Sequence, residues 1–241
     1  MKTILILNCL LLLSFCKLFS QSTDIDSGKC LLTNKLALDL DGAKHAYHPN
    51  NEGIDNNLDG GISQAEATQN HFSKTGKRGY GIAKKLSADK TFYEGYITPD
   101  GYFVSQTTVY NKTKAEGDPD RYADAETVPY IAISPGWKHK GIKLGDIAYV
   151  VNVDNGKEFA AIFADARNND NETEISLALA NGLEIPVTTK MEKSYNGAKT
   201  VKKYVGIKNN HLKIFYFVHS GDGKGKTPQE IQTLGKKLMN K

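Results

Sequence analysis

Residues 148–186 read AYVVNVDNGKEFAAIFADARNNDNETEISLALANGLEIP and predict the central piece of the fold. Two apolar runs, Ala148–Val153 and Glu158–Ala164, flank Asp154-Asn155-Gly156. Asp, Asn and Gly adopt the positive backbone angles that a tight hairpin turn requires, and Val, Ile and Phe favour strands. The stretch therefore predicts a β-hairpin.

Two carboxyl groups follow this hairpin. Its second run ends in Asp165, and after a polar loop Glu174 opens an apolar segment that ends at Asn181-Gly182. We predict a helix over Glu174–Ala180 with a glycine C-cap. Two carboxyl groups held on rigid elements are what glycoside hydrolysis needs, one to donate a proton and one to activate water or attack. The plainer interpretation makes Asp165 a loop cap and Glu174 an ordinary helix-start acid, and Glu172 is a rival second carboxyl.

Short apolar runs bounded by turn residues recur along the chain and are typical of strands. Further strands are expected at Lys35–Asp41, Tyr93–Ile97, Tyr102–Tyr110, Tyr130–Ser134 and Leu212–His219. Helices are expected at Ser63–Ser73, where Ser63 and Glu66 form a capping box, and at Pro228–Leu238 after the N-cap Thr227. Strands do not alternate with helices, which argues against a doubly wound parallel sheet. We predict a β-rich α+β fold: a single domain with a β-barrel-like core and about three short helices.

The first twenty residues predict a secretory signal peptide. Lys2 gives a positive start, Ile4–Leu13 is almost wholly apolar, and Ser20-Gln21 is a plausible cleavage point. The apolar run is too short to span a bilayer. We therefore expect a signal peptide over residues 1–20 and one domain over residues 21–241. The protein would be secreted, to the medium or to a periplasm, with no membrane partner after cleavage.

The net charge and the number of cysteines argue against a nucleic-acid-binding protein and against a disulfide-stabilised one. The formal net charge is +4, and the signal segment carries two of the lysines and no acid, so the mature chain is near +2. That balance is too weak to argue for nucleic acid as a partner. Only Cys30 lies outside the signal segment, so the domain is expected to be stable without disulfides. We expect a monomer that needs no cofactor.

Several segments resemble a known family. Phe163-Ala164-Asp165 and the Glu174-Ile175-Ser176 helix segment match its strand end and its Glu-x-Ser motif, and the shared serine selects Glu174 over Glu172. Further similar segments, in the same order, are Leu38–Gly42, Ala46–Pro49, Gly101–Ser105, Arg121–Ala125, Val128–Ile131 and Gly145-Asp146. Over roughly Leu36 to Pro186 the chain resembles glycoside hydrolase family 75, the chitosanases of fungi and their bacterial relatives.

The resemblance implies an activity and its residues. Asp165 and Glu174 match the family's two essential carboxylates, and the reaction would be endo-hydrolysis of chitosan, the β-1,4-linked glucosamine polymer, with inversion. We take Glu174 as general acid and Asp165 as base, with the reverse assignment open. Thr173 replaces the family's glycine, and chitosan is a polycation whereas the mature chain is slightly basic. These departures keep an alternative open: a secreted, non-catalytic carbohydrate-binding protein on the same scaffold.

Four further residues are candidates for binding the polysaccharide. Asp39 and Asp41 alternate with leucines, so strand geometry puts both acids on one face, where they could hold a cationic sugar. Their plainer interpretation is a strand running into an Asp-Gly turn. His48 is expected to form hydrogen bonds near the cleft. Tyr122 offers an aromatic face for a sugar ring.

Residues 55–66 read DNNLDGGISQAE and fit the calcium loop of an EF-hand. The candidate ligands are Asp55, Asn57, Asp59 and Glu66. An EF-hand also needs a helix entering the loop, and Pro49-Asn50-Asn51 stands there instead. We therefore predict no metal site, and a calcium-stabilised extracellular protein remains a third hypothesis.

Overall fold

The computed structural model describes residues 29–56, 61–75 and 79–240. The predicted signal peptide, residues 1–20, lies outside them. The strands are β1 (Cys30–Thr33), β2 (Leu36–Asp39), β3 (Lys84–Leu86), β4 (Tyr93–Gly95), β5 (Tyr130–Ile133), β6 (Ile147–Asn152), β7 (Glu158–Ala166), β8 (Thr173–Ser176), β9 (Val187–Lys193), β10 (Thr200–Ile207) and β11 (Leu212–Phe217). The helices are α1 (Gln64–Gln69), α2 (Pro135–Lys138), α3 (Leu177–Gly182) and α4 (Pro228–Met239), with a 3-10 turn at Pro119–Arg121.

Seven strands form a curled half-barrel in the order β1-β11-β6-β7-β5-β8-β2. Neighbouring strands are antiparallel except for β5 with β7 and β2 with β8, which are parallel. The other strands form two separate ribbons, β9–β10 and β3–β4. The β-rich α+β prediction is confirmed, and the sheet is not doubly wound.

The predicted hairpin of β6 and β7 lies at the centre of the sheet. Its register pairs Tyr149 with Ala160, and the turn closes where the Asn152 amide donates to the Lys157 carbonyl at 2.8 Å. Gly156 has φ +74°, the left-handed conformation for which glycine is suited. Side chains of β7 alternate between two hydrophobic clusters, one on each face of the sheet. The hairpin therefore joins both halves of the core.

The two capped helices are confirmed with different lengths. Helix α4 has the predicted Thr227 cap and packs on the central hairpin, where Gly235 lies against Ala160. Helix α1 has the predicted Ser63 capping box but ends early, because Asn70 adopts the left-handed conformation with φ +50°. Among the described residues, no helix combines the length and apolar character needed to cross a bilayer.

The predicted helix over Glu174–Ala180 is wrong at its start. Thr173–Ser176 is strand β8, paired on one side with β2 and on the other with β5. Helix α3 begins only at Leu177, where the Ser176 hydroxyl caps it by accepting from the Leu179 amide at 3.1 Å. Glu174 therefore lies on a strand, and a helix dipole does not act on it.

Two other regions differ from expectation. A turn forms at Thr98–Gly101, but the predicted strand Tyr102–Tyr110 makes only isolated bridges, such as Phe103 with Ile97, rather than a continuous ladder. Pro135–Lys138 is a short helix that was not predicted, and Pro135 suits its first position. The hairpin of β9 and β10 had no prediction, although Asn196-Gly197 is a turn signal for it.

Candidate active site

Asp165 reaches its face of the sheet through a β-bulge in β7. Ile131 pairs with Phe163, whereas the next residue of β5, Ala132, pairs with Asp165, so Ala164 is the extra residue. In a regular strand Asp165 would share the face of Phe163, because side chains alternate. The bulge moves it to the face of Ala132 instead, a known way to redirect a side chain.

Glu174 and Asp39 lie on that same face. Glu174 pairs with Ala37 in the parallel ladder of β8 and β2, and Asp39 follows two residues later on β2. The opposite face carries Ile175, which pairs with Ile131. Three carboxyl groups from three strands therefore project from one side of the sheet.

The carboxylate oxygens of Asp39, Asp41 and Asp165 lie within 4.8 Å of one another. Among the described residues, this is the group placed closely enough to hold a metal ion, although acidic residues also converge without one. Burial raises the pKa of Asp39 well above its ordinary value, and the nearby charge of Asp165 raises that pKa further. Like charges this close resist joint ionisation, so Asp39 keeps a proton more readily than a free carboxyl group.

Asp165 is held by three donors. Its Oδ1 accepts from the Thr108 hydroxyl at 2.5 Å, the Thr108 amide at 3.1 Å and the Ala166 amide at 2.7 Å. Burial raises the pKa of Asp165, and these hydrogen bonds act against that rise by favouring the charged form. All three donors reach Oδ1, and Asp165 also lines the open cleft described below.

Glu174 has a different environment. Its side chain is 29% exposed, and its Oε1 lies 3.5 Å from Nη2 of Arg167. Burial raises the pKa of Glu174, Arg167 lowers it, and the charges of Glu172 and Asp165 raise it. The net shift is upward, which suits a carboxyl group that must carry a proton to its substrate.

Arg167 stabilises the loop between Asp165 and Glu174 through hydrogen bonds to other residues of that loop. Its side chain is buried, and it donates from Nη1 to the Glu172 carbonyl and from Nη2 to Oδ1 of Asn169 at 2.7 Å. Nη2 also lies 3.3 Å from the Glu172 carboxylate. The loop from Asp165 to Glu174 is thus folded around one guanidinium group.

Replacing Arg167 should loosen this loop. We expect Arg167→Ala to lower the free energy of unfolding by about 2 kcal/mol, because the hydrogen bonds that the buried guanidinium group donates to Asn169 and Glu172 are lost. Chemical denaturation measures the change, and Lys143→Ala, at an exposed position, is the control. A loss below about 0.5 kcal/mol, the range of ordinary surface substitutions, would contradict this role.

An open cleft of about 900 Å³ lies beside the carboxylates. Asp41, Glu116 and Asp165 contribute acidic residues to its lining. Its aromatic rings come from Tyr80, Tyr93, Tyr110 and Tyr122, and its cationic groups from Lys74, Lys84 and Arg121. Glu174 is not among the lining residues, although its side chain is partly exposed. The volume falls in the range of sites for small molecules.

The four predicted binding residues separate into two groups. Asp39 and Asp41 join the carboxylate cluster, and Tyr122 lies in the cleft wall. His48 is not among the residues that line the cleft. It packs edge-on against Tyr102 with ring centroids 5.0 Å apart, and its Nδ1 accepts from the Asn50 amide at 3.0 Å.

The calcium candidates are only partly described. Asn57 and Asp59 lie outside the described residues. The Glu66 carboxylate accepts from the Ser63 amide at 2.9 Å and completes the cap of α1. The backbone of Asp55 forms a bridge with Tyr204. Glu66 therefore has a structural task that needs no metal.

Calcium is not expected to stabilise the protein. Lys203 is 1% exposed, donates to Oδ1 of Asn51 at 2.8 Å, and interacts electrostatically with Asp55, so a positive charge is already present at that end of the loop. We expect the melting temperature to change by less than about 1 °C between excess calcium and excess chelator, since an ion that does not bind the folded state cannot shift it. A rise of several degrees with calcium would contradict this and favour the third hypothesis.

The sequence did not reveal several residues that support the carboxylates. Arg167 contacts Glu174, and Thr108 donates hydrogen bonds to Asp165. The fold brings these residues together, and neither Arg167 nor Thr108 belongs to a recognisable motif. Tyr130 donates from its hydroxyl to the Asp41 carbonyl at 2.8 Å, and Tyr47 donates to Oδ1 of Asp41 at 2.5 Å. Tyr47 lies six residues after Asp41 and is the local hint of such a contact, whereas Tyr130 is far away in the sequence.

Comparison of the chain with protein-family models and with curated proteins gives no match.

Proposed function

We propose that this protein is a secreted, endo-acting glycoside hydrolase that cleaves chitosan or a related amino-sugar polymer with inversion. The observation that carries the proposal is the bulge in β7, which brings Asp165, a lining residue of the open cleft, to the face of the sheet that also carries Glu174 and Asp39. A bulge at a functional position is a common way to aim a side chain. The resemblance of the same segment to family 75 supports the same pair of carboxylates.

Burial raises the pKa of both carboxyl groups, and their hydrogen bonds, rather than the direction of the shift, support distinct roles. Glu174, with its raised pKa, gives its proton to the glycosidic oxygen as the bond to the anomeric carbon breaks. A water attacks that carbon from the opposite side and gives its proton to Oδ2 of Asp165. The sugar leaves with inverted configuration, Asp165 is protonated and Glu174 is ionised, and exchange with solvent restores both. The three donors on Oδ1 of Asp165 favour the ionised form that a base requires.

The pH profile should respond to the Thr108 hydroxyl. That hydrogen bond lowers the pKa of Asp165, so Thr108→Val is expected to raise this pKa. Because the base must be ionised, the acidic limb of kcat/KM against pH should move to higher pH while the basic limb stays fixed. Thr98→Val, on a surface turn, is the control. A shift of the basic limb instead would assign the base to another group.

Release of reducing ends from chitosan tests the activity directly. The parent protein should release them, and nuclear magnetic resonance of the first products should show the inverted anomer. If the protein binds chitosan and related polymers but cleaves none of them, the alternative stands: a non-catalytic carbohydrate-binding protein. Chitin, peptidoglycan and plant glucans complete the panel, because the cleft carries lysine and arginine side chains as well as acids.

A further inference from the structure

A second open cavity, of about 700 Å³, adjoins the catalytic cleft. The two cavities share three lining residues, Tyr110, Arg121 and Tyr122. The guanidinium carbon of Arg121 lies 4.3 Å from the centre of the Tyr110 ring and 5.9 Å from that of Tyr122. These three side chains form a stacked ridge, with solvent-accessible space on both sides of it.

The ridge is a fixed part of the fold. Tyr110 and Tyr122 form a backbone bridge, the Asn111 amide donates to the Arg121 carbonyl at 2.7 Å, and the Tyr122 hydroxyl donates to the Glu116 carbonyl at 3.1 Å. The Tyr110 side chain is partly open to solvent. Rigid, partly exposed aromatic rings present the apolar face on which a sugar ring can stack.

The charges of the second cavity are mostly satisfied within the protein. Lys44 pairs with Asp120 at 2.5 Å, and Lys226 pairs with Asp222 at 2.9 Å. Glu230 occupies the N-terminus of α4 by accepting from the Thr227 amide at 2.7 Å, so this helix end is not open to a phosphate.

Two lysines of the second cavity remain without an ion pair. Lys112 and Lys224 are exposed, and neither pairs with an acid in the described part of the chain. The lining holds five basic residues and four acidic ones (Asp120, Asp124, Asp222 and Glu230), so the cavity wall carries a formal net charge of +1. A sugar bearing a free ammonium group would be repelled there, whereas an N-acetylated or unmodified sugar would not.

We propose that the second cavity is a distal binding site for the same polysaccharide chain, with the Tyr110–Arg121–Tyr122 ridge as a stacking platform between the two cavities, and that it takes uncharged sugar units. The inference rests on the proposed function, since the chain enters from the catalytic cleft. It makes the protein prefer long, partly acetylated chains over short or fully deacetylated ones.

Calorimetry with the Glu174→Gln protein tests the site without turnover. The probes are a partly N-acetylated glucosamine hexamer, the matching dimer and the fully deacetylated hexamer. We expect the partly acetylated hexamer to bind about tenfold more tightly than the dimer and more tightly than the deacetylated hexamer at low salt. Lys112→Trp with Lys224→Trp fills the second cavity and should remove most of the hexamer's advantage while leaving the dimer unchanged. Lys193→Trp, on the exposed face of β9, is the matched control.

The possible outcomes distinguish failure of the distal binding site from failure of the proposed function. Hexamer binding that is unaffected by the paired tryptophans, or a loss that is equal for hexamer and dimer, overturns the distal site and leaves the proposed function standing. Tighter binding of the deacetylated hexamer overturns the preference for uncharged units. If none of the probes binds at all, the proposed function falls and the distal site falls with it.

Discussion

Glu174→Gln is expected to lower kcat on chitosan by about 10³-fold and to change KM by less than about twofold. Glutamine has the shape of glutamate but carries no proton that it can give to the leaving oxygen. Its amide oxygen can still accept from Arg167, so the fold should survive the change. Initial rates of reducing-end release, with the melting temperature measured beside them, check both statements.

Glu172→Gln is the matched control for this variant. Glu172 lies two residues earlier, is paired with the same Arg167, and is more exposed than Glu174. We expect its kcat to stay within about threefold of the parent, because surface positions away from the chemistry have small effects. The opposite ranking of the two variants would make Glu172 the catalytic carboxyl. A substrate with an activated aryl leaving group needs no protonation, so it should restore most of the rate to Glu174→Gln if Glu174 is the acid.

Asp165→Asn is expected to lower kcat by about 10³-fold on every substrate, including the aryl glycoside. The amide keeps the size of the side chain, and its oxygen can still accept from Thr108 and Ala166. It cannot take a proton from water, and a good leaving group does not compensate for that loss. Rescue of Asp165→Asn by the aryl substrate, with no rescue of Glu174→Gln, would reverse the two roles.

Asp39→Asn is the control within the same cluster. Burial and the neighbouring Asp165 hold the pKa of Asp39 well above its ordinary value, so this carboxyl group keeps a proton more readily than a free one, and asparagine resembles the protonated form. We expect a loss of activity below about tenfold, much less than for Asp165→Asn. Equal losses for the two variants would mean that Asp39 and Asp165 act as one unit.

Local signals in the sequence were sufficient for several elements. Asp154-Asn155-Gly156 predicted the central hairpin because its residues determine the turn and its flanks determine the strands. Thr227 and Pro228 predicted the start of α4 for a similar reason. Ser63 and Glu66 predicted the cap of α1. In each case the atoms that decide the structure are separated by only a few residues.

The secondary structure at Glu174 could not be predicted from local signals in the same way. Locally, Glu174–Ala180 has the composition of a helix, and Ser176 is a good cap. The pairing of Thr173–Ser176 with β2 and with Ile131 of β5 makes the first residues a strand and delays the helix to Leu177. Backbone pairing with two strands from distant parts of the chain outweighs a weak local helix preference.

The sequence by itself determined which residues carry carboxyl groups, where the central hairpin turns and where α1 and α4 are capped, because these depend on chemistry within a few residues. Only the tertiary structure decided that Asp165 shares a face with Glu174 and Asp39. That arrangement needs a bulge at Ala164, and the register of β7 against β5 creates the bulge. Register is a property of paired strands, and it depends on how both faces of the whole sheet are buried.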